Sequence, residues 1–371
     1  MRHLLASTLL LFLAVPVVQA ADLSDVDAIL ARHYAARGGL VRLRGITSIV
    51  SRFTYGEPGH AIPADIANAT MAVMRPCYKL VGDPAHRSTV FAEGWDGSSW
   101  EFYGDPGIVL RTVGAASAAS RHHACLDGPL VDYRAYGSSI TLEGSDTVGR
   151  RPAYRLRVHM PDGFEEDELI DKTTWMLVAQ RKVAKVHAFG EAVASETRYS
   201  DFRVVDGVQF PFRDQEVVIG SNQVLNEGVT HAIELNSLHD PAVFSPPAFQ
   251  RTALQDFLEK LFAERDDAQA AAWSYADFRR AHPATDTNDG VQAIGYQMLK
   301  MDEPATAIAL LERNAHDYPQ SSDAAFGLAR AYKTAGRMDE ARHALQRALQ
   351  IEPGNRRAKA MLQDLEKPAA Q

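Results

Sequence analysis

The chain has 371 residues, too many for one small core, so two domains are expected. A net charge of −8 argues against a nucleic-acid binder, which would carry a basic stripe. The charged and apolar fractions are ordinary for a soluble protein.

The first twenty residues read as a separate object. Arg2 and His3 precede an uncharged, largely apolar run from Leu4 to Val18, and Val18-Gln-Ala20 supplies the small residues of a cleavage site. Residues 1–20 are therefore expected to be a secretory signal rather than a membrane anchor. No cysteine follows the cleavage point, which argues against lipid attachment there. No other run is long enough to span a bilayer, so no transmembrane segment is expected in the mature chain. Export would place Cys77 and Cys125 in an oxidising compartment, where an isolated pair tends to join. The other reading of the two cysteines is a pair of small buried apolar side chains.

In the mature chain, Ser24 suits a helix N-cap, with Asp25 and Asp27 in the first turn and Gly38-Gly39 as the stop. Strand signals follow at Ile46–Tyr55, Ala67–Met74, Tyr78–Gly82 and Thr89–Glu93, punctuated by Pro and Gly. Trp95-Asp-Gly-Ser-Ser-Trp100 is a further turn signal, leading into Phe102. Ala115–Cys125, rich in Ala and Ser, reads as a short helix. Its adjacent His122 and His123 cannot share one helix face, so they read as exposed residues rather than metal ligands. In Ala153–Met160, Tyr154, Leu156, Val158 and Met160 alternate with Arg155, Arg157 and His159, the pattern of a half-buried antiparallel strand. Glu165-Glu-Asp-Glu168 follows the turn at Asp162-Gly163. Alternation puts Glu166 and Glu168 on one face, and the run reads as a solvated strand edge. Asp206-Gly207 between two β-rich runs marks a tight hairpin, because a type I′ turn needs positive φ at both central residues.

Several of these pieces, in this order, resemble the LolA-like outer-membrane lipoprotein-sorting proteins across residues 24–247. They are Gly149-Arg-Arg-Pro-Ala-Tyr-Arg-Leu156, Tyr199-Ser-Asp-Phe202, Val205-Asp-Gly207, Phe210-Pro-Phe212, Glu234-Leu-Asn236 and Phe244-Ser-Pro246. The resemblance implies an α+β fold in residues 21–247: a curved antiparallel β half-barrel with covering helices. It also implies a periplasmic location and a concave side able to take a lipid or a lipoprotein acyl chain. Trp95, Trp100, Phe102, Tyr154, Leu156, Val158 and Met160 are the candidate apolar lining. The other reading of these residues is an ordinary closed core.

After Pro247 the β signals stop, and residues 248–371 are expected to be helical. Residues 322–355 resemble one tetratricopeptide repeat, with Leu328, Ala329, Tyr332, Gly336, Ala341, Ala348 and Pro353 at its signature positions. Residues 288–321 resemble another through Gly295, Ala307 and Pro319, and residues 355–367 read as a capping helix. Small residues are needed where two helices approach closely. The resemblance implies contact with another protein. The stretch from Tyr275 to Tyr296 is also similar to the repeat tail behind some penicillin-binding or β-lactamase-like domains, but the chain lacks their Ser-x-x-Lys.

No nucleophile elbow, zinc-binding His-Glu-x-x-His, phosphate loop or Cys-x-x-Cys occurs. The sequence thus reads as a non-enzymatic binder with no cofactor and no nucleic-acid partner. The alternative is an envelope scaffold acting through its repeats, with a structural half-barrel. The helix around Leu254, Phe257, Leu258, Leu261 and Phe262 carries more apolar surface than two repeats need, so it is expected to pack on the half-barrel or on the first repeat helix, with the helical part docked rather than hanging free.

Overall fold

The computed structural model describes residues 24–58, 67–82, 91–104, 107–111, 114–184, 193–248 and 252–366. The expected signal segment lies outside the described residues, as does the start of the Thr89–Glu93 strand.

Helix α1 (Val26–Ala36) is capped by Asp25 rather than Ser24. The Asp27 N–H donates to Asp25 Oδ1 at 3.0 Å, because Asp25 is the last residue with extended backbone before the helix. Gly38 and Gly39 take φ of +114° and +98° and turn the chain into α2 (Leu40–Gly45). A Cβ on Gly38 would run into the Gly207 carbonyl, so glycine is required there. The Gln209 N–H donates to Arg37 O at 3.0 Å, which fastens this corner to the hairpin. At the hairpin itself Asp206 and Gly207 have φ of +49° and +80°, the two positive values that such a turn demands.

Six strands precede the crossover: β1 (Ser48–Gly56), β2 (Asn68–Met74), β3 (Tyr78–Val81), β4 (Phe91–Trp95), β5 (Ser99–Tyr103) and β6 (Ile108–Arg111). Helix α3 (Gly114–Ala124) follows. Seven more strands then run in sequence: β7 (Ser139–Val148), β8 (Arg151–His159), β9 (Glu165–Asp171), β10 (Leu177–Ala184), β11 (Val193–Val205), β12 (Val208–Val218) and β13 (Val224–Leu235). All thirteen form one antiparallel sheet, curved but not closed into a barrel, in the order β6-β5-β4-β3-β2-β1-β13-β12-β11-β10-β9-β8-β7. β6 and β7 are the two edges, so the chain carries α3 from one side of the sheet to the other. Pairing of β1 with β13, from Ile49–Leu235 to Gly56–Glu227, joins the two meanders.

The two faces are dressed differently. Residues paired directly across strands share a face. On one face, Ile29 and Leu30 of α1 pack on Tyr154, Leu156, Val158 and Ile170, and Leu43 of α2 packs with Phe210 and Phe212. On the other face, Val50, Ala72, Leu80, Trp100 and Phe102 close over Phe244, and Trp100 Nε1 donates to the Phe244 carbonyl at 3.0 Å.

The C-terminal part is helical: α4 (Ala253–Ala263), α5 (Ala268–Ala281), α6 (Asn288–Lys300), α7 (Pro304–Asp317), α8 (Ser322–Thr334), α9 (Met338–Ile351) and α10 (Arg356–Glu366). Thr252 and Gln255 form a capping box on α4. Ala307, Ala329, Ala341 and Ala348 have no exposed surface, as close helix approach requires. A Cβ on Gly295 would sit 2.9 Å from Leu311 Cδ1. The helices dock on the sheet: Phe257, Leu258 and Leu261 share one core with Ile108 and Leu110 of β6. A polar cluster sits beside this core. Lys300 Nζ donates to Glu101 Oε1 at 2.8 Å, the Tyr103 hydroxyl donates to Glu101 Oε2 at 2.7 Å, and Gln297 reaches both Glu101 and Tyr103.

Candidate binding site

The helix-covered face is apolar at its ends and polar in its middle. Following the pairing from β8, Val158 faces Glu166 and Leu156 faces Glu168. Glu166 in turn pairs with Lys182, and Glu168 with Gln180. The line continues through Ser195 and Thr197 to Glu216 on β12. Glu166 is 5% exposed and Glu168 fully buried. The expectation of a solvated edge is therefore corrected: β9 lies between β8 and β10, so its carboxylates are interior. Asp167, on the opposite face, is held by Arg157, whose Nε donates to it at 2.8 Å.

Burying two carboxyls on one face has an electrostatic consequence. Desolvation pushes Glu166 up to about 7, with the Lys182 charge pulling it back. Burial, then the neighbouring Glu166 charge, lifts Glu168 well above the usual carboxylate range. Gln180 Nε2 donates to Glu168 Oε1 at 2.8 Å. Glu168 Oε2 is buried without a hydrogen-bond partner among the described residues. Lys182 Nζ donates to His123 Nε2 of α3 at 2.6 Å, tying the crossover helix to the sheet.

A cavity of about 260 Å³ opens where the end of α3 and the segment after it meet the β8–β9 turn. Pro129, Tyr133, Tyr136, Met160 and Pro161 form its apolar part, and Glu166 lies in its wall. Cys77 and Cys125 border it; they are disulfide-bonded, with Cα atoms 4.1 Å apart. His122 stacks on Phe164 and bonds Asp162 at 2.7 Å, closing the β8–β9 turn against α3. Across the cavity, Tyr136 donates to Asp127 Oδ2 at 3.0 Å, and Arg75 reaches the same oxygen at 2.5 Å.

The seven residues expected to line one apolar cavity are divided by the structure. Trp100 and Phe102 point to the other face and are buried with Phe244. Trp95 lies on the covered face, since it pairs with Ser99 while Gly94 pairs with Trp100. Tyr154, Leu156 and Val158 are sealed beneath α1. Met160 alone of the seven lines the cavity. The segment from Gly128 to Ser138, which supplies much of its wall, carries no periodic signal, though its two tyrosines between Asp-Gly-Pro and Gly were visible as a cluster. His123 is exposed, and among the described residues no group of His, Cys, Asp and Glu could hold a metal. No helix among the described residues is long and apolar enough to cross a membrane.

Residues 298–365 match the tetratricopeptide repeat family. No curated protein matches the chain. Among solved structures, the N-terminal part is similar to a LolA superfamily protein from Nitrosomonas europaea, at 13% identity over 59% of this chain and 97% of that one, with a TM-score of 0.40. It is also similar to an outer membrane lipoprotein-sorting protein domain from Vibrio parahaemolyticus, at 9% identity over 58% and 94%, with a TM-score of 0.40. The C-terminal part is similar to the first tetratricopeptide domain of human RPAP3, at 17% identity over 30% and 88%, with a TM-score of 0.24. The chain carries an open, curved antiparallel sheet followed by helices, and residues 298–365 of the helical part match the tetratricopeptide repeat family.

Proposed function

We propose that this is a non-enzymatic periplasmic binding protein. Residues 21–247 hold an apolar moiety, such as a lipid or lipoprotein acyl chain, and the repeats of residues 248–371 contact another envelope protein. The cavity at Met160, Pro129, Pro161, Tyr133 and Tyr136 carries this reading, because an apolar recess inside an otherwise packed covered face offers a dry surface to a ligand. The leader-like start of the sequence supports export. The test is native mass spectrometry and lipid extraction of protein purified from the periplasm, with a hydrophobic fluorophore as reporter. Fluorophore binding that Met160→Arg abolishes is the expected result. Protein free of lipid that also ignores the fluorophore overturns the reading.

A second reading, an envelope scaffold working through the repeats, is favoured by Trp273, which is 64% exposed on α5, the helix just before the first repeat. Capture of a specific envelope protein by the intact chain, lost in Trp273→Ser and kept in Met160→Arg, would select it.

A further inference from the structure

We propose that the cavity beside Met160 takes a single-chain amphiphile with a primary amine head, and that the Glu166 carboxyl anchors that head. The inference rests on the binding reading above and names its ligand class.

The argument begins with what sits in the wall. A buried carboxyl is tolerated only when it is neutral, paired or hydrogen-bonded. Glu166 is 5% exposed, lines the cavity and stands two residues from the fully buried Glu168 on the same face of β9. Burial, then the charge of its neighbour, lifts Glu168 well above the usual carboxylate range, so this pair keeps a proton between its two carboxyls. Of the remaining acceptor sites on Glu168, Oε1 takes the Gln180 amide and Oε2 has no partner among the described residues. One ammonium, Lys182, faces both carboxyls from the neighbouring strand, and its Nζ is also committed to His123. Two carboxyls beside one cation retain one proton between them.

A second cation completes this arrangement. When a ligand ammonium enters, the shared proton leaves to solvent, and an ammonium–carboxylate pair replaces the carboxyl–carboxylate pair. Around Glu166 two carboxylates then stand against two ammoniums; Glu216, which also faces Lys182, is bonded by Asn226, and Lys79 is paired with Glu93. The alkyl tail lies on Met160, Tyr133 and the two prolines, where it removes apolar surface from water. A carboxylate head would add a third negative charge, and an alcohol would gain only a neutral hydrogen bond. The other charged groups at the cavity are already arranged in ways that leave this choice intact. His122 and Asp162 are bonded to each other, Asp127 is held by Arg75, and Arg121 is exposed. Since Glu166 is pushed up to about 7, amine affinity should rise from pH 6 to pH 8 as proton release becomes easier.

The test is calorimetric titration of the full mature protein with octylamine, octanol and octanoate, in buffers of different ionisation heat. Octylamine should bind about tenfold tighter than octanol, with octanoate weakest and with net proton release. Glu166→Gln should bring the amine-to-alcohol ratio to about one. A lysophospholipid with an ethanolamine head, set against its choline counterpart, separates a lipid amine from a free one. Preference for the ethanolamine form assigns a lipid head, and its exclusion while octylamine binds assigns a free amine. Equal binding of octylamine and octanol by the unmodified protein overturns the inference and leaves the apolar cavity standing. If octanol and octylamine both fail to bind, the binding reading falls and the inference with it.

Discussion

The docking of the helical part on the sheet can be tested through Glu101. This side chain is 10% exposed and accepts from Lys300, whose side chain is 22% exposed, and from Tyr103. Glu101→Leu leaves a largely buried ammonium without its partner and the Tyr103 hydroxyl without an acceptor. Breaking a buried pair in this way costs about 3–5 kcal/mol. Removing the second charge as well, in Glu101→Leu with Lys300→Met, should recover about 1–4 kcal/mol of that loss, because the desolvation penalty disappears with the ions. The surrounding core of Ile108, Leu110, Leu258 and Leu261 can accept the added apolar atoms. Urea unfolding, followed by both tryptophan fluorescence and helical circular dichroism, gives the four corners of the cycle. Small-angle scattering should show the single variant extending as the helices leave the sheet. Additive effects, with neither single change exceeding about 1 kcal/mol, would refute the idea that this cluster holds the parts together.

Other outcomes follow from particular contacts. Both Glu166 and Glu168 titrate higher in the folded protein than in the unfolded chain, so each contributes stability that is full below the ordinary value of 4.5 and is lost as pH rises through its folded value, about 7 for Glu166. Thermal melts should fall over that window, and Glu168→Gln should flatten the fall. Cys77 and Cys125 should resist alkylation in the exported protein until reductant is added. Closing a loop of this span, 48 residues apart in sequence, contributes about 4 kcal/mol in the chain-entropy model. Gly295→Leu should lower helical stability by about 1–3 kcal/mol through collision with Leu311, read by the helical dichroism of the intact chain. Gly38→Ala should destabilise the sheet by forcing the Gly207 carbonyl away from the α1–α2 corner, seen as an earlier urea transition.

Local chemistry determined much of this protein from its sequence alone. Asp206-Gly207 demanded its turn because two successive positive φ values suit few residues, and Gly38-Gly39 ended α1 for the same reason. Small residues at Ala329, Ala341 and Ala348 specified a close helix pair, and alternation along Tyr154–Met160 specified a strand with one dry face. Alternation says that two faces differ; it does not say which one the helices cover, nor where in the sheet a strand lies. Tertiary pairing therefore decided that Trp100 and Phe102 turn away from Trp95. It also decided that the Glu166–Glu168 run sits between two strands rather than at an edge. The same long-range contacts carried α3 across the covered face, brought Cys125 to Cys77, and set the cavity beside a carboxyl pair. Those positions depend on partners far apart in the chain, 48 residues in the case of the Cys77–Cys125 bridge, and no local preference encodes them.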